Sequence, residues 1–409
     1  MLARSLQLYR NAFSGLSREV WLLATVMLIN RSGTMVIPFL TIYLTQHLGF
    51  TLGQAGIVMS CFGAGSIVGT YLGGRLSDRF GYYPVMFWSL FLGGLMFLLL
   101  MWMKTMLQFS ITIFFLSLIA DAFRPANMAS VGAYSRPQNL TRSISLVRLA
   151  VNLGFSIGPA LGGFLAVSLG YDWLFVADGL TCIGAAFFFR YYLKPKPSQI
   201  QKQAEQQAEA ATEPAPSPYR DTGFLIFVGL MLLTAVAFMQ LFNTLPVFLK
   251  QEYGLSEKLV GGLLALNGLL IAVMEMPLVY SIEGRIPRMA LIRLGAVLIG
   301  LSFLVLNLGH WGVLLLVSII AITFGEMANF PFSNSFAVDR STQANRGQYM
   351  ALYSMVFSMA HVIAPALGMG IAQHFGFFTL WIVMGALCAV TVLGYWWLED
   401  LLVKGGKPA

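Results

Sequence analysis

Twelve stretches of predominantly apolar residues alternate with short polar breaks along this chain. They fall near 19–46, 52–74, 84–103, 107–134, 143–169 and 172–193, and then near 222–250, 257–281, 289–308, 311–338, 347–373 and 376–398. Each is long enough to cross a bilayer core as a helix, which takes roughly 17–25 residues. In lipid each segment must satisfy its own backbone hydrogen bonds, so unbroken runs of this kind predict helices. The expected fold class is an all-α polytopic membrane protein with twelve transmembrane helices. They would form two six-helix bundles, 1–193 and 222–409, joined by a cytoplasmic linker over 194–221. Within that linker the segment from Gln199 to Glu209 is rich in Gln, Ala and Glu and predicts a surface helix; Pro214, Pro216 and Pro218 mark a tether after it.

Composition points the same way. Of the 409 residues 57% are hydrophobic and 10% charged, whereas a soluble domain carries about 25% charged residues to wet its surface. The net charge of +8 sits in short loops between apolar runs, with no basic and aromatic face that would suit nucleic acid. Arg4, Arg10 and Arg18, Arg75 and Arg79, Arg136 and Arg142, Arg190 to Arg220, Arg285 to Arg293, Arg340 and Arg346, and Lys404 and Lys407 occupy one set of loops. The alternate set holds only Lys104, Lys250 and Lys258. By the positive-inside rule both termini are expected in the cytoplasm. The first apolar run is too long for a signal-peptide core, so it is expected to remain as the first helix. Cys61, Cys182 and Cys388 lie far apart inside apolar runs and suggest neither disulfides nor a metal site.

The two sets of helices repeat each other. Pro38 is echoed by Pro246, Gly49 and the residues after it by Gly254, Asp121 and Pro125 by Glu326 and Pro331, and Gly158-Pro-Ala-Leu-Gly by Ala364-Pro-Ala-Leu-Gly. The offset stays at 205–208 positions, as an internal duplication requires. Paired repeats with a site between them are a transporter architecture.

Two local motifs add a family. Gly74-Arg-Leu-Ser-Asp78-Arg79-Phe-Gly81 lies in the turn after the second helix, and Gly154-Phe-Ser-Ile-Gly158-Pro159-Ala-Leu-Gly162-Gly163 lies in the fifth. The first resembles the signature loop of the major facilitator superfamily, the second the glycine-proline motif of its antiporters. The whole chain is similar to the twelve-helix drug–proton antiporter branch. The resemblance implies that Gly74, Asp78, Arg79 and Gly81 form a cytoplasmic latch between the halves. It implies that Gly154, Gly158, Pro159, Gly162 and Gly163 pack the fifth helix tightly on the side away from the cytoplasm. Departures exist: Tyr82 and Tyr83 stand where a basic pair is usual, and Arg124 lies about ten positions later than the family's fourth-helix arginine. Read without the resemblance, the loop is a basic topogenic turn and the glycines are small-residue helix packing.

Ionisable side chains near mid-bilayer are costly, at least ~2.5–3.5 kcal/mol on insertion scales, and mark a pathway by default. Arg31, Arg124, Asp178, Glu275 and Glu326 lie ten to fourteen residues from the nearest basic loop residue, and Asp121 one turn deeper than Arg124. The resemblance puts the first, fourth, seventh and tenth helices around a central cavity. Asn30, Arg31, Arg124, Asn243, Glu275 and Glu326 are the candidate substrate-binding residues. Glu275, Glu326 and Asp121 are the candidate proton-coupling residues, with Asp121 able to pair with Arg124 three positions on. Arg148 and Asp178, on supporting helices, read first as structural ion-pair members, and His361 as a packing residue.

No ATPase loop, nucleophile elbow, zinc motif or cofactor motif is present, so an enzyme is not expected and a proton gradient is the expected energy source. The function expected is proton-coupled export of amphipathic, drug-like organic compounds from the bacterial inner membrane, by a monomer whose partners are lipid, protons and solute. The alternative is a proton symporter importing a small anionic or zwitterionic solute. A third reading is a transporter-like sensor that moves nothing.

Overall fold

In the computed structural model, residues 15–136, 139–196, 217–282, 284–341 and 345–404 are described. The first helix, α1, spans Arg18–His47 but is interrupted: it runs from Arg18–Ser32 and resumes at Val36–Ile42. Then follow α2 (Leu52–Phe80), α3 (Tyr82–Leu100), α4 (Met106–Tyr134), α5 (Leu140–Ser168) and α6 (Asp172–Tyr192). The second half has α7 (Thr222–Asn243, continued by Leu245–Gln251), α8 (Glu257–Ile282), α9 (Arg288–Val305) and α10 (Gly312–Asp339). A last helical run of 59 residues, Arg346–Lys404, would be roughly 90 Å long if straight, about three bilayer cores. Gly376, at φ 79° and ψ 167°, turns the chain there and divides it into α11 (346–375) and α12 (377–404). The twelve expected helices are therefore present within a few residues of their expected bounds. Most of the linker lies outside the described residues, as do Arg4, Arg10 and Lys407.

Local chemistry sets the ends and breaks. Thr51 and Thr105 each accept from the backbone three residues on while Gln54 and Gln108 reach back, closing a capping box at the start of α2 and α4. The breaks in α1, α4 and α7 each precede a proline that removes one helical hydrogen bond and crowds the carbonyl four residues back. Pro38 acts on Thr34, Pro125 on Asp121 and Pro246 on Phe242. In α1 the N–H groups freed at the break find a partner. Met35 and Val36 both donate to the carboxylate of Asp178 on α6, at 2.9 Å. Asp178, fully buried, thus caps the second segment of α1.

The halves share one packing plan. α1 lies along α5 and α3 along α6; in the second half α7 lies along α11 and α9 along α12. The halves meet through α2 against α11 and α5 against α8. The duplicated sequence therefore folds into duplicated architecture.

At the basic end of the second half, Asp221 caps α7 by accepting from the Phe224 N–H (3.2 Å) and binds Arg340 through two hydrogen bonds of 2.7 and 2.9 Å. Burial pushes the Asp221 carboxyl up, but the Arg340 and backbone hydrogen bonds outweigh it and hold it below the ordinary carboxylate value. The unfolded chain binds the proton at the ordinary value of about 3.9. The contribution of this pair is thus complete above about pH 4 and lost as pH falls through the lower folded value. Detergent-solubilised protein is expected to lose thermal stability below about pH 4, and Asp221→Asn to flatten that acid limb. An unchanged acid limb in the variant would show that the pair does not stabilise the fold.

Candidate functional site

The fifth helix explains how the site is held. Gly154, Gly158 and Gly162 recur every four residues and face α1: an added Cβ would meet Arg31 at the first, Thr34 O at 3.0 Å at the second and Met35 Cβ at 3.0 Å at the third. Gly163 turns to α8, where an added Cβ would come within 3.0 Å of Lys258 Cα. On α8, Gly261 answers against the Pro159 carbonyl and Gly268 against Ser156. The glycines serve contact with both neighbours, and they set Arg31 directly against α5. Gly154→Ala is expected to cost about 1–3 kcal/mol by overpacking, because the added Cβ would come within 3.0 Å of the Arg31 and Ser32 backbone. Gly184→Ala, facing open space on α6, serves as the control. Equal melting temperatures for the two variants would refute the packing role.

Contacts between the halves run from the end opposite the basic loops to mid-depth. At that far end Tyr171 donates to Glu257 (2.7 Å), which also pairs with Lys250 (2.8 Å). Further in, Ser60 donates to Val362 O (2.7 Å) and Ser156 to Ala265 O (2.9 Å). At mid-depth Arg148 on α5 pairs with Glu275 on α8, and Asn152 donates to the other Glu275 oxygen at 3.4 Å. At the basic end Asp78 and Arg79 are exposed and, among the described residues, in no ion pair; Gly74 faces open space and Gly81 is exposed. The contacts described between the halves therefore lie at the far end and at mid-depth, and they do not include the residues expected to form the latch.

Beneath the far-end contacts lies a chamber of about 330 Å³. Its walls carry Arg31 of α1, Arg124 of α4, Asn243 of α7, Asn267 of α8, Glu326 of α10 and His361 of α11, set among Phe155, Phe238, Phe242, Phe330 and Phe357. A smaller adjoining pocket brings Glu326 together with Arg148, Asn152 and Glu275. Arg124 pairs with Asp121 on its own helix at 2.7 Å. Arg31 lies 5.3 Å from the centre of the Phe155 ring, and its Nε is buried without a hydrogen-bond partner. One oxygen of Glu326 and one of Asp121 are likewise buried and unpartnered.

Several placements differ from expectation. Asn30 points away from the chamber and donates to Cys182 Sγ on α6 at 3.4 Å, because its position on α1 faces α6 while its neighbour Arg31 faces α5. Asn243 does line the chamber, though its amide donates to Met239 O of its own helix (2.8 Å). Glu275 has a basic partner from another helix, and lies beside the chamber rather than in its wall. His361, read as a packing residue, sits on the chamber wall with its ring Nδ1 at 2.8 Å from Phe357 O. Arg148, Asn152 and Asn267 carry polar chemistry that the sequence reading left unassigned to the site. Their signal was spacing: 148 and 152 share a face of α5, and 267, 271 and 275 share a face of α8.

Two duplicated helical bundles enclosing a charged chamber at mid-depth define a secondary transporter. The family model of the Major Facilitator Superfamily matches residues 20–359 and 309–408, and the chain belongs to that superfamily. It is 25% identical to a Na(+), Li(+), K(+)/H(+) antiporter of Planococcus maritimus, covering 92% of this chain and 94% of that protein. It is 24% identical to a multi-drug resistance efflux pump PmrA homolog of Lactococcus lactis, over 43% of this chain and 45% of the other. Among solved structures, a POT family transporter in complex with 5-aminolevulinic acid superposes with a TM-score of 0.77 at 17% identity, covering 93% and 96% of the two chains. That last likeness is one of fold.

Proposed function

We propose that this protein is a proton-driven antiporter that exports amphipathic organic compounds, with Glu326 as the carboxylate shared in turn by proton and solute. One observation carries the reading: Glu326 sits on the chamber wall with an oxygen buried and unpartnered. A carboxylate oxygen left without a hydrogen-bond partner can take up either a proton or a cationic group of a solute. The groups that face it are Asn267 and Glu275 from α8 and Arg148 from α5. Solute binding would displace the proton, and protonation would release the solute. The aromatic walls suit a greasy, adaptable ligand. The resemblance to an antiporter and to multidrug pumps points the same way.

In this reading the basic end faces the cytoplasm, so both termini do too, and the state described is open toward the cytoplasm with its Asp78–Arg79 latch released. The test is flux in everted membrane vesicles. An inside-acid gradient should drive uptake of amphipathic dyes, and collapsing the gradient should stop it. Uptake into right-side-out vesicles driven by an outside-acid gradient would instead establish symport.

A further inference from the structure

Tyr82 and Tyr83 stand where a basic pair is usual, and in the structure they bind the chain itself. After Tyr192 the chain leaves α6 and crosses the basic end of the first half as a non-helical segment, 193–196. Four side chains from three helices hold that segment. Tyr82 of α3 accepts from the Lys196 N–H (2.9 Å) and donates to the Lys196 carbonyl (3.0 Å). Tyr83 donates to Leu193 O and Tyr134 of α4 to Lys194 O, each at 2.9 Å. Glu19 of α1 pairs with the Lys196 ammonium. Leu193 is fully buried, so the segment is plugged into the first half as well as bonded across it. Ser17, the cap of α1, donates to Tyr134 O (2.8 Å) and ties α1 to α4 directly.

This strap grips the two helices of the first half that are broken at chamber depth. α1 is interrupted after Ser32 and α4 at Ala122. Their segments on the basic side are Arg18–Ser32 and Phe123–Tyr134. Each meets the strap at its outer end and carries a chamber arginine, Arg31 or Arg124, beside its break. A break in the helical hydrogen bonds is a hinge, and rotation about it re-aims the arginine next to it. Pinning the outer end stops that rotation with a lever of roughly 15–20 Å. We infer that Tyr82, Tyr83 and Tyr134 are positioning residues: through the strap they fix both hinged segments, and so the aim of Arg31 and Arg124. The inference goes beyond the antiport reading and holds whatever solute the chamber takes. The three tyrosine anchors are uncharged hydrogen bonds, so salt does not screen them.

Electron-resonance distances between paired spin labels, on purified full-length protein in nanodiscs, test the strap. The labels are placed on a chain with Cys61, Cys182 and Cys388 replaced by alanine. One pair joins Met128, exposed on the strapped segment of α4, to Phe187 on α6; the control pair joins Leu107 and Trp173 at the far ends of the same helices. The unaltered protein should give one narrow distance for each pair. Tyr82→Phe, Tyr83→Phe and Tyr134→Phe together keep every ring and remove only hydroxyls. This triple variant should broaden the first distance and leave the second narrow, each lost hydroxyl raising the displaced population about two- to tenfold. Flux should fall with it. Glu19→Gln, which cuts only the ion pair at the surface, is a milder release that serves if the triple variant does not fold, and it should broaden the first distance less. An unchanged first distance would overturn the proposal, and so would equal broadening of both, which is general loosening. The distances need neither solute nor gradient, so they stand even if vesicle flux refutes antiport.

Discussion

Glu326→Gln is expected to abolish pH-gradient-driven transport, lowering flux in proteoliposomes to that of protein-free vesicles. Glutamine keeps the shape and hydrogen-bonding capacity of the side chain but cannot exchange a proton. The chamber offers no ready substitute on α10, and the other carboxylates around it, Asp121 and Glu275, are each held by an arginine. Glu326→Asp should retain part of the flux with a displaced pH profile, because the acid survives on a shorter stem. Gradient-driven flux surviving intact in Glu326→Gln would remove Glu326 from the proton pathway.

The second large effect concerns the bond between halves. Arg148 is 55% exposed and Glu275 only 10%, so the pair is screened on one side and dry on the other. Deleting one member of a fully buried pair costs about 3–5 kcal/mol, and exposed pairs are worth under about 1. Arg148→Ala should fall between, at about 1–3 kcal/mol of stability, since it strands Glu275 next to Glu326. Adding Glu275→Gln to Arg148→Ala should recover most of the loss, because the stranded charge goes with it. The exchanged pair Arg148→Glu with Glu275→Arg should recover transport better than either single variant. Melting temperatures and flux for this set measure the coupling directly. Single variants as stable and active as the parent would make the pair incidental.

The fold was legible because lipid imposes one period and one length. Apolar runs, basic loops and a repeat offset of 205–208 positions are properties of the chain in order, and they led to twelve helices in two bundles. The glycine ladder of α5 was equally readable, since residues four apart must share a helix face. What each charge touches was less readable, because that depends on how helices far apart in sequence rotate against one another. Arg148 and Glu275 are separated by 127 positions, and nothing local to either announces the other. Asn30 and Arg31 show the same limit in small compass. Adjacent on α1, they are turned about 100° apart by the 3.6-residue helical turn, so one reaches Cys182 and the other the chamber. Asp178 reads as one member of an ion pair between helices, but its partners in the structure are two backbone N–H groups at the break after Gly33. Breaks were foreshadowed by Pro38, Pro125 and Pro246, but the partner that caps a break was not.

The most direct test of the shared-site mechanism is proton release on ligand binding by purified protein in weakly buffered solution. With a saturating amphipathic ligand carrying an amine, the protein should release about one proton per ligand bound near neutral pH, and Glu326→Gln should release none. Binding without proton release in the unaltered protein, or equal release by the variant, would contradict competition between proton and solute at Glu326.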